Sequence, residues 1–296
     1  MLRKGDLTQG GITGTLLHFT LPMMVGSFLQ QCYNIADTLI VGQCIGAGAL
    51  AAVGSAYTLM VFLISVLLGL AMGSGTVFSL HYGAGNHVAL RRSIFSSFVL
   101  IGIVTLILNV AVFIWLDPIL RLLQVPQDIY GMMRSYSWII FCGIVFTFIY
   151  NFYASLLRAV GDSVTPLWFL AVSVVLNIAL DLFFILQLDW GIQGAAAATV
   201  LAQGVAALGI IIYTYRRRPE LRWHHEDMCF DRTCLKEIAS FSTLTCVQQS
   251  VMNLGILMIQ GLVNSFGTAV MAAFAAAVKI DSFAYMPVQE FGNAFR

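Results

Sequence analysis

The chain has 296 residues, of which 59% are hydrophobic and 10% charged, and its net charge is +1. Soluble domains carry roughly a quarter charged residues, so this composition excludes an ordinary soluble domain, and the small net charge gives no footprint for nucleic acid. Apolar runs recur along nearly the whole length, each long enough for the about 20 residues that a membrane helix needs, without the alternation of a membrane barrel.

Arg3 and Lys4 precede the first apolar region. That region runs on through Pro22, Gln30 and Gln31 as a full span, so it is expected to be retained and not cleaved as a signal. Eight apolar segments follow one another, at about 15–42, 50–80, 93–116, 135–157, 164–187, 192–215, 238–264 and 269–296. Gly42 to Gly48, His81 to Asn86, Asp117-Pro118 with Val125-Pro126, Arg158 to Pro166 and Trp190-Gly191 punctuate them. The long polar stretch 216–237 is the expected boundary between a six-helix lobe, 1–215, and the start of a second, 238–296. The expected fold class is an all-α polytopic membrane protein.

Lysine and arginine mark the cytoplasmic loops of membrane proteins. Alternate connections carry Arg3, Lys4, Arg91, Arg92, Arg158, Arg216, Arg217, Arg218, Arg222, Arg232 and Lys236, whereas the others carry only Arg121 and Arg134. The N terminus is therefore expected in the cytoplasm. Gly46 to Val53 and Gly267 to Phe274 are similar and lie 221 residues apart. Six helices between two copies in the same orientation imply a pseudo-twofold axis along the membrane normal. On that register the chain stops inside the second copy, at Arg296, which suggests a fragment lacking roughly four helices, each of about 20 residues.

Asp37 is the only charge of the first segment. An acid at mid-membrane costs roughly 2.5–3.5 kcal/mol and marks function; the alternative is that the helix starts later or ends earlier and Asp37 lies at the interface. Residues four apart share a helix face. Gln30, Asn34 and Asp37 form one stripe, Thr147, Asn151 and Ser155 another, Ser173, Asn177 and Asp181 a third, and Thr199 and Gln203 a fourth. Lipid satisfies none of these groups, so the stripes are expected to converge inward on a hydrated or ion-binding pocket, the alternative being hydrogen-bonded glue between helices. Two carboxylates in a poorly solvated pocket resist ionising together. Such a pair suits a proton, or Na⁺ with Asn and Thr oxygens beside it.

Ser65, Gly69 and Gly73 form a small-residue stripe that predicts close helix packing. Pro22 predicts a kink, either static or a hinge. Gln249, Asn253, Gln260 and Asn264 give the seventh segment a polar face without an acid. Lys279 and Asp281 are candidates to pair with each other, and Glu290 to face a cavity. Cys229 and Cys234 with His224 and His225 fit no standard zinc spacing, so free thiols are expected. No nucleophile, base and orienting group fall together, so no enzymatic activity is expected.

Several stretches together resemble the multidrug and toxic compound extrusion (MATE) family: Pro22 with Gln30 to Gly42, Ala49 to Gly54, Ser155 to Pro166 with its Arg-Ala-x-Gly-Asp-x-x-Thr-Pro pattern, Leu176 to Asp181 with Asn-x-x-x-Asp, and Gly191 to Thr199. The resemblance implies two six-helix lobes around a central cavity and export of amphiphilic, often cationic compounds driven by H⁺ or Na⁺. It maps the coupling site onto Asp37, Asn151, Asn177, Asp181 and Thr199, with Tyr33 one turn from Asp37 and Pro22 as the bending proline. Gln30, Asn34, Gln203, Gln249 and Asn253 are candidates to line the substrate cavity. Met252 stands where some members carry a glutamate, which favours coupling through the first lobe. The resemblance further implies a monomer in the bacterial cytoplasmic membrane, with no cofactor beyond the coupling ion. The rival readings are a lipid-linked precursor flippase of the wider superfamily, for which a cationic cavity is missing, and a seven-helix receptor, which the repeat and the two acids disfavour.

Overall fold

The computed structural model describes residues 12–223, 227 and 232–294. Arg3, Lys4, His224, His225, Cys229 and Arg296 lie outside the described residues, as do the side chains of Arg232, Lys279 and Glu290. The described chain is helical, with α1 at Ile12–Cys44, α2 at Ala47–Gly83, α3 at His87–Leu122, α4 at Gln127–Cys142 and α5 at Ile144–Ala159. Then come α6 at Val164–Leu182, α7 at Gly191–Arg217, α8 at Arg232–Asn264 and α9 at Thr268–Ala294. A π-helical turn, Phe183–Gln187, prolongs α6, and a 3-10 turn, Pro219–Leu221, follows α7.

Two expectations change. The fourth apolar segment is not one helix: α4 and α5 meet at Gly143 with a bend of 48°. Glycine is a common site of helix bending, and here the neighbour demands it, because a Cβ on Gly143 would lie 2.5 Å from Cγ2 of Val200 in α7. Asp117-Pro118 does not end the third helix, which continues to Leu122. Asp117 instead accepts hydrogen bonds from Tyr130 Oη (2.9 Å) and Arg134 Nε (2.8 Å), tying the end of α3 to α4.

Among the described residues, five helices are long and apolar enough to cross a membrane, or six with the bent α4–α5 pair counted as one span. The helix α1 has 33 residues, about 50 Å at 1.5 Å per residue, and carries Gln30, Gln31, Asn34 and Asp37 in its second half. Of α9, the stretch Thr268–Val278 is apolar. Outward faces are lined by residues such as Leu106, Ile114, Trp168 and Val175, all more than half exposed, as suits a surface in contact with lipid.

The helices α2 and α8 form the tightest seam, and the small-residue stripe is its cause. A Cβ on Gly69 would lie 2.5 Å from Cα of Cys246, and one on Gly73 would lie 2.4 Å from Cα of Ser242. The two backbones therefore touch without intervening side chains.

The Arg-Ala-x-Gly-Asp-x-x-Thr-Pro pattern is a structural corner. Gly161 turns the chain at φ 82°, a conformation glycine adopts without steric cost. Asp162 then accepts from the Thr165 backbone N–H (3.1 Å), from Thr165 Oγ1 (3.0 Å) and from Arg218 Nη2 (3.3 Å). Burial works against the Arg218 charge, but Asp162 and Glu220 hold its pKa above the usual value. The start of the polar stretch is thus fastened to the bundle: Leu221 is buried, Trp223 packs on Phe95, Phe98 and Tyr215, and Asp227 accepts from Arg91 Nε at 2.7 Å.

Two substitutions probe these contacts by thermal melting in detergent. Gly73→Ala is expected to lower stability by about 1–3 kcal/mol, the usual cost of overpacking; an unchanged melting temperature would contradict the direct backbone contact. Asp162→Ala leaves Arg218 buried without its main partner and is expected to cost about 2 kcal/mol, with Asp162→Asn milder.

Candidate functional site

The polar stripe of α1 faces α6 and α7. Asn34 and Asp37 are buried, and on α6 Asn177 and Asp181 are buried with them, Asp181 at 0% exposure. Thr199 of α7 joins the two sides: its hydroxyl meets Tyr33 Oη at 3.2 Å and accepts from Asn177 Nδ2 at 3.3 Å. The carboxylates of Asp37 and Asp181 are close enough for their charges to interact. The helix α1 runs on past Asp37 to Cys44, and the Asp37 side chain is enclosed by other helices.

Among the described residues, no hydrogen-bond donor reaches either oxygen of Asp181 or Oδ1 of Asn177. Buried carboxylates normally have a cation or several donors beside them. An ionised Asp181 in this position is an uncompensated buried charge, a state costing several kcal/mol. The arrangement therefore favours an added proton, or a hard cation that prefers oxygen ligands. The π-helical turn begins two residues after Asp181, and such turns are frequent at functional sites.

The other predicted residues divide into groups. Thr147 donates to Gln203 Oε1, and Asn151 Nδ2 donates to the Thr147 carbonyl at 2.8 Å, so these residues form a second polar group one turn along α7 from Thr199. No described hydrogen bond joins Asn151 to the acids. Ser155 packs instead on α2, where a Cβ on Gly75 would lie 3.7 Å from its own Cβ. Gln30 is half-buried on α1, and Asn34 Nδ2 donates to Gln31 Oε1 at 3.4 Å. Gln249 and Asn253 lie on α8, which packs against α2, α3 and α9; Asn253 Nδ2 donates to the Gln249 carbonyl at 2.9 Å. Pro22 lies within α1, which continues through it, and Met252 is 42% exposed on α8.

Two tyrosines join the site without having been singled out in the sequence. Tyr136 of α4 is buried within electrostatic reach of Asp37, Tyr33 and Asp181. Tyr57 of α2 is hydrogen-bonded to the Asn34 side chain. In an apolar segment a tyrosine reads as packing, and only a stripe analysis that counts its hydroxyl as polar would have flagged either.

Comparisons with known proteins place the chain in a family. The MatE family matches residues 22–183. A relative called probable multidrug resistance protein YpnP, from Bacillus subtilis, is 32% identical over 99% of this chain. The chain spans only 65% of that relative's length. Among solved structures, an inward-facing multidrug resistance MATE family transporter of the MOP superfamily superposes with a TM-score of 0.83 at 24% identity, over 93% of this chain and 63% of that one. An outward-facing one superposes with a TM-score of 0.85 at 24% identity, over 94% and 62%. The fold is that of these transporters, and the chain, a multi-pass membrane protein, belongs to the MatE family.

Proposed function

We propose that this chain carries the ion-coupling part of a secondary-active antiporter that exports amphiphilic or cationic compounds in exchange for H⁺ or Na⁺. The observation that carries the reading is Asp181, fully enclosed with neither carboxylate oxygen bonded to a protein donor. Asp37, Asn177, Thr199 and Tyr33 are its partners in holding the ion, and Asn151 supports them through Thr147 and Gln203. Relatives named as multidrug resistance proteins support the substrate class, which belongs to a longer protein than the chain described.

In this reading residues 1–215 form one lobe, 216–237 the link and 238–296 the start of the other, with the N terminus in the cytoplasm of a bacterial cell. With the pocket open outward, the acids take a proton or Na⁺ and α1 bends at Pro22. Substrate leaves. The ion is released on the inner side, and the next substrate enters. One charge descending about 100 mV supplies about 2.3 kcal/mol, and one pH unit about 1.4 kcal/mol, enough to sustain a steep substrate gradient. Gln30, Asn34 and Gln203 border the ion site and are the nearer cavity residues; Gln249 and Asn253 face substrate from α8.

The test is ethidium efflux from proteoliposomes holding the complete transporter, driven first by a pH gradient and then by a Na⁺ gradient. One of the two gradients is expected to stimulate efflux, and Asp37→Asn and Asp181→Asn are each expected to reduce the stimulated rate to the level without a gradient. Equal stimulated efflux from wild type and Asp37→Asn would refute the coupling role. Thr199→Ala is expected to retain efflux with weakened ion dependence, because it removes a ligand oxygen but no charge; a shift in the ion concentration for half-stimulation checks this.

A further inference from the structure

A network of four polar side chains joins α2 and α8 at one end of their seam. Near the start of α2 and the end of α8, Ser55 Oγ donates to Asn264 Oδ1 at 3.0 Å, and Gln260 Nε2 donates to Ser55 Oγ and to Asn264 Oδ1, each at 2.8 Å. Thr58 Oγ1 donates to Gln260 Oε1 at 3.3 Å, and Asn264 Nδ2 donates to the Leu123 carbonyl after α3 at 2.7 Å. All four side chains are at most 6% exposed. Farther along, Gly69 and Gly73 touch α8 directly, and there Ser242 Oγ donates to the Leu70 carbonyl at 3.3 Å and Cys246 Sγ to the Val66 carbonyl at 3.8 Å. At the far end His81 Nε2 and Glu237 Oε2 stand 3.3 Å apart, with the glutamate 44% exposed.

We infer that Ser55, Thr58, Gln260 and Asn264 form a releasable latch that closes the bundle at the end nearer Asp37, and that Tyr57 ties this latch to α1. The inference rests on the transporter reading for its purpose, but the latch itself is read from the seam. Its chemistry suits repeated opening. Amides and hydroxyls satisfied by one another in the closed state are satisfied by water when the seam opens to an aqueous cavity, so the net cost per bond is small. Apolar side chains in the same places would be exposed to water on opening, at a cost proportional to their area. The small-residue contact beyond the latch adds only the bonds of Ser242 and Cys246 to α2 backbone carbonyls. Tyr57 precedes Thr58 in α2 and is hydrogen-bonded to Asn34, which lies one turn before Asp37. A bend or rotation of α1 therefore pulls on the helix that carries the latch.

The experiment measures distances in the complete transporter, reconstituted in nanodiscs with its cysteines replaced by serine. Spin labels are placed at Gln43 and Ser265, both exposed and both at the latch end. Gln260→Ala and Asn264→Ala, which remove the hydrogen bonds without adding a large apolar side chain, are each expected to raise the population of the long distance by about threefold, the weight of one interhelical hydrogen bond. Thr58→Ser, which keeps the hydroxyl, is expected to leave the distribution as in wild type. Oxidation of a Ser55→Cys/Asn264→Cys pair is expected to remove the long distance, and reduction to restore it. Unchanged distributions in both alanine variants, or a long distance surviving the disulfide, would overturn the latch. Asp37→Asn is expected to shift the wild-type distribution and to lose that effect in a Tyr57→Phe background; a shift retained there, or none from Asp37→Asn, overturns the tie through Tyr57. Since distances are read and not efflux, loss of ion coupling and loss of the latch are separate results.

Discussion

A carboxylate enclosed by apolar helices has to be neutralised, and much of this architecture follows from placing Asp181 where no protein donor reaches it. Water, several donors or a fixed cation would normally surround such a group. Here a second carboxylate on α1 stands nearby, and Asn177 Nδ2 donates to the Thr199 hydroxyl instead. The helices α1, α6 and α7 meet around these groups and exclude lipid from them. A site built in this way has no stable fixed charge state of its own, which is the property an exchanger of small cations needs.

Part of this was legible in the sequence because polar residues stand out in apolar helices. Asp37, Asn177, Asp181 and Thr199 meet as their four-residue spacing indicated, and Gly69 and Gly73 make the close contact their size permits. Other features left no such mark. The break at Gly143 depends on Val200, which is 57 residues away in the sequence, so a single apolar run conceals it. Pro118 looked like a terminator, but α3 continues through it to Leu122, forgoing only the one N–H bond that proline cannot make. The stripe Thr147, Asn151 and Ser155 divides between two neighbours because α5 is packed on both sides, by α7 and by α2.

The polar face of α8 shows how one pattern can hold two kinds of residue. Gln249, Asn253, Gln260 and Asn264 share a helix, but Gln260 and Asn264 are fully enclosed by α2 and the end of α3, whereas Gln249 and Asn253 stay half-buried. Spacing alone does not separate them, because enclosure depends on how far along the seam the neighbouring backbone stays in contact. The Arg-Ala-x-Gly-Asp-x-x-Thr-Pro pattern makes a similar point. It identifies a relative well, yet in the fold its Asp162 holds a corner and an arginine, well apart from any ion site.

The buried acid of α1 bears on how the protein is made. Its site partners on α6 and α7 are far downstream, with Thr199 lying 166 residues after Tyr33. At about 5–20 residues per second, a ribosome needs about ten to thirty seconds to reach Thr199 once Tyr33 has been added. During that interval α1 must be kept in or beside the membrane with Asp37 unsheltered, by the insertion machinery or by α2 alone. Biogenesis thus has to tolerate for seconds the exposed acid that the finished bundle encloses.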